Sequence, residues 1–311
     1  MRLALHVPLP ELERQIEIQY PDVDLVHIPL VGDVPSDIDA DILLTVPIVV
    51  DNLKIVMQQL PGLEWIHLFG TGSNGFPFDV LGGRTLTCSR GATATAIAEW
   101  VMAMILSMDK CLPQSWISEP TESWNFADLQ TLEDKTLGLV GFGTIGQAVA
   151  KRALAFDMTV IATVRTHRQS PMPGVKFVKE LQTILRESDH LVLALPATGD
   201  SHHLLDGAAL RQIKRSCHLV NVARADIVDQ DALRAVLDEG RMRAASLDVC
   251  EPEPLPAGHW LYSHPSVRLS PHISWNSPRA FSNMGAMFLD NLGAFINGRP
   301  LNGVVNPTTG Y

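Results

Sequence analysis

Three segments carry residue types that could hold an anion and move a proton: NVARADIVD with Arg224, LDVCEPEPLP with Glu253, and LSPHISW with His272. Each side chain follows an apolar run that reads as a strand, so all three fall at strand C-terminal ends, where open α/β sheets bind ligands. Arginine supplies a permanent planar charge for a carboxylate and for polarising a carbonyl. Histidine suits a general acid near neutrality, its ordinary pKa being about 6.5. A glutamate beside it would fix the ring and favour imidazolium, raising that value. The set fits proton delivery to a carbonyl oxygen while hydride reaches its carbon.

A hydride carrier is legible upstream. In LGLVGFGTIGQAVAKRAL, Gly141, Gly143 and Gly146 form GxGxxG between an apolar strand and an Ala-rich helix, the context a dinucleotide fingerprint needs. Gly141 permits the tight turn, Gly143 lets backbone approach a pyrophosphate, and Gly146 lets helix lie on strand. Thr144 and Ile145 open the helix whose N–H groups face the phosphates. Pro196 and Ala223, at the ends of HLVLALP and HLVNVAR, join the expected cofactor contacts. An NAD site usually has an acidic residue about 20 positions on, for the ribose hydroxyl. Val164 stands there instead, followed by Arg165, Thr166 and Arg168, a clamp suited to a 2′-phosphate. NADP is therefore expected ahead of NAD.

Two series of elements must position these groups. The first hundred residues alternate short β-rich runs (LALHV, VDLVHI, DILLTV, LEWIHLF, RTLTC) with helical patterns. AIAEWVMAMILSM, apolar nearly all round, reads as a long helix buried between two bodies, and 111–135 reads as loop with some irregular helix. A second series of Val/Ile/Leu runs follows: KTLGLVGFG, MTVIATV, HLVLALP, HLVNVAR, RAASLDV and VRLSP, with helices around 178–187 and over DQDALRAVLDEG. PRAFSNMGAMFLDNLGAFING is a closing helix that stops at Gly298. The expected fold is α/β in two domains: 1–98 plus 286–311 for substrate and catalysis, and 99–285 as a doubly wound Rossmann domain for the dinucleotide.

Composition narrows the function classes. With Lys plus Arg at 24 against 34 for Asp plus Glu, the net charge of −10 offers no basic surplus for nucleic acid, so an anionic ligand needs a local cationic cluster. No stretch suits a membrane span or a signal peptide, and four cysteines without regular spacing suit a reducing compartment, so a cytoplasmic protein is expected. His202 and His203 are adjacent and lack metal-ligand spacing; they read as surface histidines, and no metal is expected.

These motifs, in this order, resemble the D-isomer-specific 2-hydroxyacid dehydrogenase family, whose hallmark is GxGxxG, then Arg in NVARG, Glu in LDVFxxEP and His in PHI. The likeness extends to IAEWVMAMIL and to the ending GRPLNGVVNP. It implies a Rossmann cofactor domain with a flavodoxin-like substrate domain, and a cleft that closes on cofactor and substrate. It also implies a homodimer, and reduction of a small 2-keto acid of the glyoxylate or hydroxypyruvate type by Arg224, Glu253 and His272. By position it assigns the substrate carboxylate to Thr71 and Gly72 in GTGSNG, and the nicotinamide amide to Asp248. Trp275 could wall the substrate pocket or serve as a core or interface aromatic. The alternatives are an NAD-dependent dehydrogenase of a D-2-hydroxy acid such as D-3-phosphoglycerate, and a dinucleotide-sensing corepressor-like protein. The chain departs from the family at Ala225, Asn74, Cys250, Ala94 and Arg90. Arg90 either adds charge to the cleft or pairs with a surface carboxylate.

Overall fold

The computed structural model describes residues 1–310 apart from 36–37, 49, 74, 123 and 166–168. The chain forms two units, Met1–Thr93 with Ser277–Tyr311, and Ala94–Asn276. The expected boundaries at 98 and 285 fall inside helices. The observed divisions fall at the starts of those helices, since a continuous hydrogen-bonded helix packs as one rigid element.

The first unit is built from β1 (Arg2–Leu5), α1 (Pro10–Gln19), β2 (Asp24–His27), β3 (Ile42–Thr45), α2 (Leu53–Gln59), β4 (Trp65–Leu68) and β5 (Thr85–Cys88). Its strands are all parallel in the order β2-β1-β3-β4-β5, the flavodoxin-like winding. β3 and β4 are buried along their whole length, as a sheet covered on both faces requires. Two polar networks are buried with the sheet. His6, just past β1, sits 3.0 Å from both Thr45 Oγ1 and Asn52 Oδ1. His67 lies 2.7 Å from Thr87 Oγ1 and 3.0 Å from Ser89 Oγ, and burial pushes its pKa down to about 3.

The second unit contains α3 (Ala94–Asp109), β6 (Thr136–Val140), α4 (Thr144–Leu154), β7 (Thr159–Thr163), β8 (Val175–Phe177), α5 (Leu181–Glu187), β9 (His190–Leu193), α6 (Gly207–Leu210), β10 (His218–Asn221), α7 (Gln230–Asp238), β11 (Ala244–Leu247) and β12 (Val267–Leu269). The parallel order β12-β11-β10-β9-β6-β7-β8 is the Rossmann winding with one further strand. Neighbours along each strand feed opposite cores: Leu191, Leu193 and Leu219 enter one cluster, Val192 and Val220 the other. That alternation is the period of two expected of a sheet buried on both faces. β8 has no counterpart among the expected strands. α3 buries one face only, through Ile97, Ala98, Val101, Met102 and Ile105, while Ala103 is exposed, so its apolar composition overstates its burial. The described residues of 111–130 form turns, bends and irregular chain and leave Trp116, Ile117, Trp124, Phe126 and Leu129 exposed.

α3 ends in a buried charge. Asp109 is fully buried and takes Lys135 Nζ at 2.8 Å, Arg243 Nη1 at 2.6 Å and His190 Nε2 at 3.0 Å. Burial alone would raise its carboxyl; the bonds from His190, Lys135 and Arg243 outweigh that and hold it well below the usual carboxylate range. His190 continues to His218 at 3.4 Å, and His218 to Ser246 Oγ at 2.8 Å. This chain runs along the N-terminal edge of the sheet, where β9 and β10 begin, opposite the strand ends that carry Arg224 and Asp248.

The closing helix α8 (Pro278–Ile296) begins with Ser277 Oγ accepting the Ala280 N–H, with proline in its first turn. It returns to the first unit, where Phe288 stacks on Trp65 at 5.4 Å between ring centroids. Gly298, at φ +61°, stands just past its end.

Candidate active site

β6 ends at Val140, and the chain turns into α4 through the three glycines. Gly141 adopts φ +98°, and a Cβ there would lie 2.5 Å from the Ala194 carbonyl oxygen. A Cβ on Gly146 would lie 2.5 Å from the Gly141 oxygen, so helix and turn are in contact at that point. Gly143 differs: among the described residues nothing lies within 4 Å of its Cβ position, and no side chain caps the first turn of α4 above it. An open glycine under an uncapped helix N-terminus fits a pyrophosphate, with Thr144 and Ile145 contributing N–H groups. Arg165 is exposed just beyond β7, while Thr166 and Arg168 lie outside the described residues. Pro196 is exposed after β9, and its carbonyl accepts Ser201 Oγ at 2.9 Å.

The acid–base group assembles on the ends of β10, β11 and β12. His272 Nδ1 lies 2.9 Å from Glu253 Oε2. Glu253 Oε1 accepts the Cys250 N–H at 3.1 Å. Burial alone would raise the Glu253 carboxyl, but the bonds from His272 and Cys250 N–H and the nearby Arg224 bring it below its ordinary value. Ionised Glu253 can only accept, so His272 donates through Nδ1 and keeps Nε2 for proton exchange. Arg224 is half-buried, its pKa lowered by desolvation against the opposing charges of Glu253 and Asp226. The three expected residues therefore share one electrostatic neighbourhood.

Several residues not singled out by sequence hold that neighbourhood in place. Asn221, the last residue of β10, accepts the Ala223 N–H at 3.0 Å and donates to the Arg224 carbonyl at 2.9 Å, fixing the backbone around the arginine. Gln230 opens α7 and bonds Glu251 twice, donating to its carbonyl at 2.6 Å and accepting its N–H at 3.1 Å, which steadies the loop of Glu253. Ser270 ends β12. A sequence signal exists for two of them: Asn221 and Ser270 are polar residues closing apolar strand runs.

His272 itself sits at φ +55°, a left-handed conformation that a side chain with a Cβ adopts at a cost. Asp248 secures it. Fully buried at the end of β11, its carboxylate accepts Ser270 Oγ at 2.5 Å and the N–H groups of Ile273 and Ser274 at 2.9 Å each. The carboxylate expected to take the nicotinamide amide is bonded in the structure to the His272 turn, as a buried carboxylate must find donors. Trp275, expected as a pocket wall or a packed aromatic, donates its indole N–H to the His272 carbonyl at 2.9 Å and packs against the core behind α3.

In the first unit, Thr71 and Gly72 are partly exposed on the loop after β4. Asn74 lies outside the described residues. His202 and His203 are exposed and stacked, with ring centroids 4.0 Å apart. Among the described residues no group of three His, Cys, Asp or Glu is arranged to hold a metal ion, and no helix is long and apolar enough to cross a membrane.

Residues 102–274 match the family described as D-isomer specific 2-hydroxyacid dehydrogenase, NAD binding domain. The glyoxylate/hydroxypyruvate reductase B of Escherichia fergusonii is 32% identical over 266 residues, 81% of each chain. The glyoxylate reductase of Thermofilum pendens is 31% identical over 278 residues, 86% of this chain and 78% of its own. In fold, the chain is similar to the D-isomer specific 2-hydroxyacid dehydrogenase of Xanthobacter autotrophicus Py2, solved with NADPH and MES, at a TM-score of 0.85 and 23% identity, covering 100% of this chain and 99% of that one. With its two parallel sheets and its glycine turn, the chain belongs to the D-isomer specific 2-hydroxyacid dehydrogenase family, the NAD(P)-dependent oxidoreductases.

Proposed function

We propose that the protein reduces a small 2-keto acid of the glyoxylate or hydroxypyruvate type to the D-2-hydroxy acid, with NADPH preferred. The observation that carries this reading is the 2.9 Å bond between His272 Nδ1 and Glu253 Oε2, with Arg224 alongside. Bound at the Gly141–Gly146 turn, the dinucleotide supplies the hydride. Arg224 holds the substrate carboxylate and polarises the carbonyl. His272 gives a proton from Nε2 to the carbonyl oxygen, and Glu253 stabilises the ring while it is charged. Thr71 and Gly72 bind the carboxylate through backbone N–H groups.

The NADPH preference rests on Arg165, Thr166 and Arg168, and on the absence of an acidic residue at Val164. A homodimer would cover the exposed apolar residues of 111–130, and the four free cysteines suit a cytoplasmic setting.

Initial rates of NADPH and of NADH oxidation with glyoxylate, hydroxypyruvate, pyruvate and phenylpyruvate test the proposal. Turnover favouring NADPH supports both reaction and clamp. Turnover favouring NADH removes the clamp, and no turnover with any of the four removes the substrate class. His272→Ala is expected to abolish turnover while retaining dinucleotide binding; reduction at the wild-type rate would eliminate the mechanism.

A further inference from the structure

The turn after β5 lies beside the loop after β4. The Ser89 N–H donates to the Gly70 carbonyl at 2.7 Å, so Arg90 follows directly on a backbone contact with the residue preceding Thr71. Arg90 is exposed, and among the described residues no carboxylate lies within ion-pair distance of its guanidinium. Two other cations of this unit are engaged: Arg84 donates to the carbonyls of Leu63, Val80 and Met57, and Lys54 pairs with Asp79. The loop next to Arg90 has donors to spare, because no acceptor among the described residues takes the N–H of Thr71 or Gly72. The Arg90 guanidinium interacts with the Cys88 thiol and, through the Ser89–Gly70 contact, stands on a turn within side-chain reach of two backbone donors that no described residue accepts, a combination suited to an anion.

We infer that Arg90 and the Thr71 and Gly72 N–H groups form one anion-binding site, in which Arg90 is a further contact for the carboxylate of the 2-keto acid. The identity of the anion rests on the reading given under Proposed function. The N–H pair fixes where the carboxylate sits, and Arg90 supplies the charge that draws it there. A lysine would keep part of the attraction and lose the forked geometry.

The test compares wild type, Arg90→Gln and Arg90→Lys in glyoxylate and hydroxypyruvate kinetics and in calorimetric titration with oxalate, each at low and high salt. Arg90→Gln is expected to raise KM and the oxalate Kd about tenfold or more, to change kcat little, and to flatten the salt dependence of both, with Arg90→Lys intermediate. Unchanged KM and oxalate Kd in Arg90→Gln, or no oxalate binding by wild type, overturns the inference. If oxalate binding depends on Arg90 while wild type reduces no 2-keto acid, the anion site stands and the proposed reaction falls.

Discussion

The Ser274 N–H lies 2.9 Å from Asp248 Oδ2, so the turn carrying His272 is suspended from the end of β11, the strand next to its own. Ile273 and Ser270 complete the attachment. The orientation of the imidazole thus depends on a carboxylate that is not one of its neighbours in sequence. Asp248→Ala would strip three donors of their acceptor, of which only the Ser274 N–H is buried and carries the full cost of about 1–3 kcal/mol. A stability loss of about 1–3 kcal/mol in urea unfolding is expected, with a parallel fall in kcat. Asp248→Asn keeps one acceptor oxygen and should lose less of both.

Glu253 is expected to act on rate more than on stability, since its side chain and that of His272 are each 40% exposed. Glu253→Gln preserves shape but removes the charge that stabilises a protonated ring. A decrease in kcat of about 100-fold or more, with NADPH binding retained by fluorescence titration, is the expected result. A variant within twofold of wild type would show that Glu253 only packs.

The glycine turn separates fold from ligand. At Gly146 a methyl group meets the Gly141 carbonyl oxygen at 2.5 Å, so Gly146→Ala should push α4 away and lower the melting temperature. At Gly143 the same methyl meets no atom of the described residues within 4 Å. Gly143→Ala should therefore melt like wild type while weakening dinucleotide binding, as titration with NADPH and NADH would report.

Acid should destabilise the protein before its carboxylates protonate. Burial lowers the pKa of His6 and His67, the latter to about 3, and holds His218 well below its ordinary value. In the unfolded chain these histidines take up protons below about pH 6.5, whereas the folded state resists doing so. Stability is thus fully present above that pH and falls as pH drops, by up to about 1.4 kcal/mol per unit for each histidine until its folded pKa is reached. Asp109 acts in the same direction at lower pH, because its folded pKa is also depressed. Urea midpoints between pH 7 and pH 4 would measure this slope. Replacing His67 with Gln should reduce it.

Much of this organisation was legible because it rests on local patterns. The Val- and Leu-rich runs specify buried parallel strands, and glycines at strand-to-helix spacing specify the turn at α4. β8 escaped because Val175–Phe177 has three residues with Lys176 exposed, too short for a period to register. The relation of Asp248 to the His272 turn escaped for another reason. It depends on β11 and β12 pairing in parallel, with Leu247 opposite Leu269, a register that no single run of residues encodes. Gln230 is similar: its partner Glu251 lies beyond an intervening strand, so nothing near it in sequence marks the contact.

The backbone at His272 sets activity against durability. A residue held at φ +55° forgoes about 1 kcal/mol that glycine would not. His272→Gly should therefore match or exceed the wild type in thermal resistance while being catalytically inert. Selection for thermal resistance alone would drift toward losing the histidine at this position, whereas selection for the proposed turnover must keep a residue that the turn itself disfavours.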